Sequence, residues 1–113
     1  MLDLYGIRNC DTCKKARAWL ELHDIAYHFH DFRDDGLDRS VLEEVERALG
    51  WECLLNRRST TWRQLGDADR MELTREKALE LMLRFPTLIK RPVLMASNTI
   101  LTGFLPAQYE KAL

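Results

Sequence analysis

The spacing of apolar positions changes several times along the chain, and each change predicts an element. Leu2 to Ile7 is a short, mostly apolar run, broken by Gly6 and closed by the polar Arg8-Asn9; it predicts a strand. From Thr12 the period lengthens. Cys13, Ala16, Trp19, Leu20 and Leu22 recur at three- and four-residue spacings, while Lys14, Lys15, Arg17 and Glu21 fill the other face. That is an amphipathic helix, expected to stop near His23-Asp24. Ile25 to Phe32 alternates, with Tyr27 and Phe29 to one side and His28 and His30 to the other, as in a second strand. Strand, helix and strand within about thirty residues make a βαβ unit, which implies parallel strands with the helix on one face.

Beyond a polar, acidic loop from Arg33 to Asp38, the pattern turns helical again. Asp38 or Ser40 is expected to cap, and Ser40-x-x-Glu43 has capping-box spacing. Val41, Leu42, Val45, Ala48 and Leu49 form the apolar stripe, ended by Gly50. Trp51 to Leu55 predicts a short helical turn in which Cys53 is a buried thiol. Thr61 to Leu65 predicts another short helix, and Gly66 to Met71 a polar joint. Thr74 opens a longer helix, with Glu76 in its first turn and Ala78, Leu79, Leu81, Met82 and Phe85 as its apolar side, before Pro86 stops it. The apolar run after Pro92, a turn at Ala96-Ser97-Asn98 and the run Thr99 to Thr102 read as an antiparallel hairpin. Pro106 suits the first turn of a last helix whose apolar side is Tyr109, Ala112 and Leu113.

The chain has 113 residues, 46% hydrophobic and 31% charged, which fits one folded domain over residues 1–113. A net charge of −1 gives no electrostatic basis for binding nucleic acid or an anionic membrane. No apolar run is long enough to span a bilayer, and the start lacks a signal-peptide pattern. Three cysteines do not make a disulfide framework. A reducing, cytoplasmic compartment is expected, with any disulfide transient and catalytic.

The chemistry concentrates in Asn9-Cys10-Asp11-Thr12-Cys13-Lys14-Lys15. A Cys-x-x-Cys at a strand-to-helix turn places its first sulfur where helical N–H groups lack partners. Those donors and nearby cations stabilise a thiolate, so Cys10 is expected to be the exposed nucleophile. Cys13, one turn on, faces the same side and is a candidate resolving thiol. Zinc is the competing use of such a pair, but it wants four ligands, and only Cys53, His23, His28 and His30 remain; no metal is expected. Inert core cysteines are the second alternative. His28 and His30 read as members of a half-exposed strand face. Asn56-Arg57-Arg58-Ser59-Thr60-Thr61-Trp62-Arg63 sets three arginines among hydroxyls ahead of a short helix, either an anion site or a solvated basic loop.

The order of elements resembles the thioredoxin fold: an α/β architecture of βαβ and ββα halves around a central mixed sheet, here with a helical insertion at about residues 33–85. The resemblance implies that the Arg91-Pro92 bond is cis and lies beside the active cysteine. The insertion, the chain length and Leu88-Ile89-Lys90-Arg91-Pro92-Val93 resemble the glutaredoxin-type arsenate reductase (ArsC-like) family, over essentially the whole chain. The Cys-x-x-Cys and the segment 56–63 look most like its YffB branch, and Spx-type regulators share the cysteine pair and the Arg-Pro. The resemblance implies Cys10, Cys13 and Arg91 as catalytic residues, with Asn9, Thr12, Arg57, Arg58 and Pro92 binding substrate. It implies no bound cofactor and glutathione as co-substrate, exchanged with protein thiols or disulfides. Arg91 with Arg57 or Arg58 would pair the glutathione carboxylates. For an Spx-like protein it implies RNA polymerase as partner. In arsenate reductases three arginines hold the oxyanion. Here Asn56 stands where one is expected, Arg57 and Arg58 are displaced, and the last strand reads Leu101-Thr102-Gly103-Phe104. Arsenate reduction therefore ranks behind the thiol reductase and the redox regulator.

Overall fold

The computed structural model describes residues 2–113, and its contacts divide the chain into two compact units. The first comprises residues 1–36 and 91–113, the second residues 37–90.

The first unit is built on a four-stranded mixed sheet. Strand β1 (Leu2–Gly6) leads into helix α1 (Asp11–Leu22), which returns the chain to β2 (Tyr27–Asp31). The chain re-enters this unit for β3 (Val93–Ala96), β4 (Thr99–Thr102) and a last helix (Pro106–Ala112). The spatial order is β2-β1-β3-β4. β1 pairs parallel with β2, with Leu4 opposite Phe29, and antiparallel with β3, with Leu4 opposite Leu94. Leu4 and Leu94 thus meet at the centre of the sheet, where Ala16 and Leu20 of α1 and Tyr109 of the last helix complete the buried cluster. Pro106 stands in the first turn of that last helix, as expected. The strand-helix-strand reading of residues 2–32 and the hairpin of residues 93–102 match the structure.

Leu22 departs from the expected stripe and is 79% exposed. Cys13, Ala16 and Leu20 define the buried line of α1, and Leu22 lies about 200° around the axis from Leu20. The sheet has no strand at residues 25 and 26, since β2 begins at Tyr27.

The second unit is helical. It holds α2 (Arg39–Leu49), α3 (Trp51–Leu54), α4 (Thr60–Gln64), α5 (Asp67–Arg70) and α6 (Arg75–Arg84), followed by a 3-10 turn at Pro86–Leu88. α2 begins one residue before Ser40, so Asp38 holds the N-cap position in extended geometry and the expected capping box does not form. Leu42 and Val45 are buried as expected, but Ala48 is exposed and Glu46 takes a place in the buried line. The Arg75 side chain bonds the Glu46 carboxylate, which makes that burial tolerable. Cys53 is exposed rather than buried: α3 turns Leu54 inward, with Leu55 after it, and leaves Glu52 and Cys53 on the outer side. The polar joint at 66–71 contains a helical turn, α5, opened by two aspartates in the first turn. α6 follows the prediction, with the Thr74 hydroxyl accepting from the Lys77 N–H at 3.2 Å.

Candidate active site

β1 and α1 together place Cys10. The strand ends at Gly6 and the chain turns through Arg8 and Asn9. Cys10, in extended geometry (φ −128°, ψ 123°), is the N-cap of α1, with its carbonyl accepting from Lys14 N–H at 2.9 Å. Asn9 is exposed in the turn, and Thr12 is half-buried at the second helical position. The antiparallel register that sets Tyr5 against Val93 carries Arg91-Pro92 past the end of β1, toward the start of α1. The Arg91-Pro92 bond is cis, Pro92 is buried, and its carbonyl accepts from Gly103 N–H at 2.9 Å.

The two sulfurs sit in opposed environments. Partial burial raises the Cys10 thiol pKa, but the Cys13 N–H, the Arg91 guanidinium and the Cys13 thiol outweigh it, and the net shift is downward. The Cys13 N–H faces the sulfur without closing a full capping hydrogen bond; its dipole still favours the charged form. Cys13 is fully buried. Burial and the neighbouring Cys10 push it up to about 12, against a hydrogen bond from the backbone of Ile7 and the charge of Arg91. As the pair loses its first proton, the charge settles on Cys10 and Cys13 stays a thiol.

The cation acting on Cys10 is thus Arg91, from a distant part of the chain. The basic residues adjacent in sequence are turned elsewhere. Arg8 pairs with Asp34 and stands 3.7 Å from Asp31. Arg17 lies over the Phe29 ring, 4.3 Å from its centroid, and donates to the Tyr27 hydroxyl. Lys14 and Lys15 are exposed. His30 pairs with Asp3 at 2.8 Å and stacks on Tyr5. Among the described residues, no three His, Cys, Asp or Glu side chains gather as a metal site, and no helix is long and apolar enough to cross a membrane.

Two features of the site have little signal in the sequence. Gly6 lies directly against the Cys13 sulfur. Tyr109 has a fully buried hydroxyl without a hydrogen-bond partner among the described residues, and its pKa is raised by burial and by Cys13. A glycine in a strand signals close approach, but not of what.

Arg57 and Arg58 belong to the second unit. With Glu52, Leu55, Asn56 and Lys90 they line a cleft of about 580 Å³. Backbone hydrogen bonds hold two of its lining residues: Asn56 N–H donates to Leu88 O at 2.6 Å, and Lys90 N–H to Leu54 O at 2.9 Å. Arg57 leans over the Trp62 ring, and Asn56 Oδ1 accepts from Arg58 N–H. Three cations against one carboxylate suit this cleft to an anion.

A half-exposed cysteine of lowered pKa at a helix N-cap, a buried partner thiol and a cis-proline loop on a β2-β1-β3-β4 sheet define a thioredoxin-like redox protein. The chain belongs to the ArsC family, whose model matches residues 5–112. The solved structure of YffB is 48% identical, superimposes with a TM-score of 0.96, and is covered to 99% by 100% of this chain. An arsenate reductase (ArsC) related protein from Brucella melitensis is also 48% identical, with a TM-score of 0.77, over 97% of this chain and 92% of that one. The global transcriptional regulator Spx 1 of Lactococcus lactis is 32% identical over 99% of this chain and 94% of its own length.

Proposed function

We propose that this protein is a glutathione-dependent thiol-disulfide oxidoreductase with Cys10 as nucleophile. The observation that supports it most is the split within the pair: one half-exposed sulfur favoured as thiolate, and one buried sulfur held as thiol. The Cys10 thiolate attacks the glutathione sulfur of a mixed disulfide. The old S–S bond breaks, the substrate thiolate leaves and takes a proton from water, and Cys10 carries glutathione. A second glutathione thiolate then attacks that sulfur, releasing oxidised glutathione and the Cys10 thiolate. Cys13, as a poorly ionised and buried thiol, forms no covalent bond in this cycle. Cys10→Ser is expected to reduce a glutathionylated peptide at no more than the uncatalysed rate; full activity in that variant ends the proposal.

The Spx likeness favours a second reading, a redox switch docking on RNA polymerase. Turnover without redox-dependent capture of polymerase subunits selects the enzyme; capture without turnover selects the switch. Arsenate reduction ranks third, because Asn56 stands where the arsenate reductases keep an arginine.

A further inference from the structure

We propose that Gly6 is a positioning residue of the thiol pair: its missing Cβ is the seat of the Cys13 sulfur, and that seat lets Cys13 point its S–H at Cys10.

The geometry is specific to sulfur. A Cβ built on Gly6 falls 2.5 Å from Cys13 Sγ, a separation that real Cβ atoms essentially never show. The next atoms, Cys13 Cβ at 3.6 Å and Phe29 Cε1 at 3.7 Å, are at ordinary contact distance. So the obstacle to a side chain at position 6 is one atom. Gly6 is buried and is not among the glycines of positive φ, so backbone conformation does not require glycine here. The backbone here does ordinary strand work: Tyr5 pairs with Val93, and the Gly6 carbonyl accepts from Phe32 N–H at 2.8 Å. What is left to explain the glycine is the sulfur above it.

The sulfur has little freedom once seated. Cys13 is fully buried on α1, at the third helical position, and bonds to the backbone of Ile7, the residue after Gly6. From there its thiol hydrogen-bonds Cys10. A side chain at position 6 must push Sγ away, and a displaced Sγ no longer aligns its proton with Cys10. Sγ is the end of a one-torsion side chain, so a methyl at position 6 displaces it by rotation about the Cα–Cβ bond, and that rotation re-aims its proton. In this arrangement Cys13 serves Cys10 as a fixed donor, through a gap that strand β1 leaves open for it.

The inference rests on Cys10 being the reactive thiol of the proposed oxidoreductase. The experiment therefore follows Cys10 alkylation by iodoacetamide from pH 5 to 10 in reduced protein, for wild type, Gly6→Ala, Cys13→Ala and the double variant, with circular dichroism as a folding control. If wild-type Cys10 is no more reactive than a free thiol, the oxidoreductase reading itself falls. If it is activated, Gly6→Ala is expected to move the midpoint up by about one pH unit, which at acidic pH is about tenfold less thiolate. Cys13→Ala is expected to give a like shift, and the double variant no more than Cys13→Ala alone, because without Sγ the alanine at position 6 meets nothing closer than ordinary contact. A Gly6→Ala profile that superimposes on wild type overturns the proposal, as does an additive shift in the double variant. Should Gly6→Ala not fold, a folded double variant supports the seat, and an unfolded one overturns it.

Discussion

Asp31 shows how one side chain fixes the approach to the reactive sulfur. It is buried at the end of β2. Its Oδ2 accepts from Arg8 N–H at 2.8 Å, and its Oδ1 from Arg33 and Asp34 N–H at 2.7 and 3.1 Å. Arg8 lies two residues before Cys10, so this carboxylate ties the turn that presents the nucleophile to the neighbouring strand. Burial works against its charge, but the three N–H donors and the Arg8 charge prevail and hold it below the usual carboxylate range. Asp31→Ala orphans those donors and is expected to cost about 1.5–3 kcal/mol at neutral pH. The depressed pKa contributes stability that is present above the unfolded value of about 3.9 and is lost as pH falls through the folded value. The gap between wild type and variant in urea denaturation is therefore expected to hold from pH 6 to about 4 and to narrow as pH falls below about 3.9. A gap that stays constant with pH ends this account. Residues of this kind are hard to read from a linear pattern. Cys10 and Cys13 announce themselves by spacing at a strand-helix junction, and Arg91 by its proline. Asp31 and Gly6 work through partners that only folding supplies, and Cys53 shows the reverse error, an apolar neighbourhood in sequence that the fold leaves outside.

At the scale of elements, α4 is a helix too short to persist on propensity. It depends on Ser59, whose Oγ accepts from Trp62 N–H at 3.1 Å while its hydroxyl donates to Asn56 O at 2.9 Å. Thr61 and Thr87 share a further hydroxyl contact at 2.5 Å. The same turn holds Asn56, Arg57 and Arg58 along the cationic cleft, with Arg57 over Trp62. Ser59→Ala is expected to cost about 1 kcal/mol and to accelerate hydrogen exchange at Trp62 N–H first; unchanged exchange there refutes the capping role. The hydroxyl-rich start of this helix was readable, as were α1, α6 and the hairpin, whose periods are long or whose breakers are strong. The start of α2 was not, because Asp38 and Ser40 are both good caps and only backbone geometry decides between them. α5 was hidden because four polar residues carry no period.

For the molecule as a whole, the thiol pair makes a pH-dependent contribution to stability with opposite signs on its two members. The order of elements and the Cys-x-x-Cys already pointed to the thioredoxin-like fold, since topology follows from the strand-helix-strand rhythm. The asymmetry of the pair did not follow from sequence, because it depends on burial. Cys10, lowered in the folded state, contributes stability that is fully present above the unfolded thiol value of about 8.5 and fades as pH falls through its folded value. Cys13, raised to about 12, contributes stability that is fully present below about 8.5 and is lost as pH rises toward its folded value. Tyr109, also raised by burial, adds to that loss above about pH 10. The fold is thus expected to weaken above pH 8.5, with Cys13 supplying a slope of at most about 1.4 kcal/mol per pH unit, one proton's worth. In reduced protein, Cys13→Ala is expected to flatten the fall in denaturation midpoint between pH 8.5 and 10, below the range in which Tyr109 contributes. Equal slopes in the two proteins would place the Cys13 sulfur in contact with water and remove the basis for holding it as the permanent thiol of the pair.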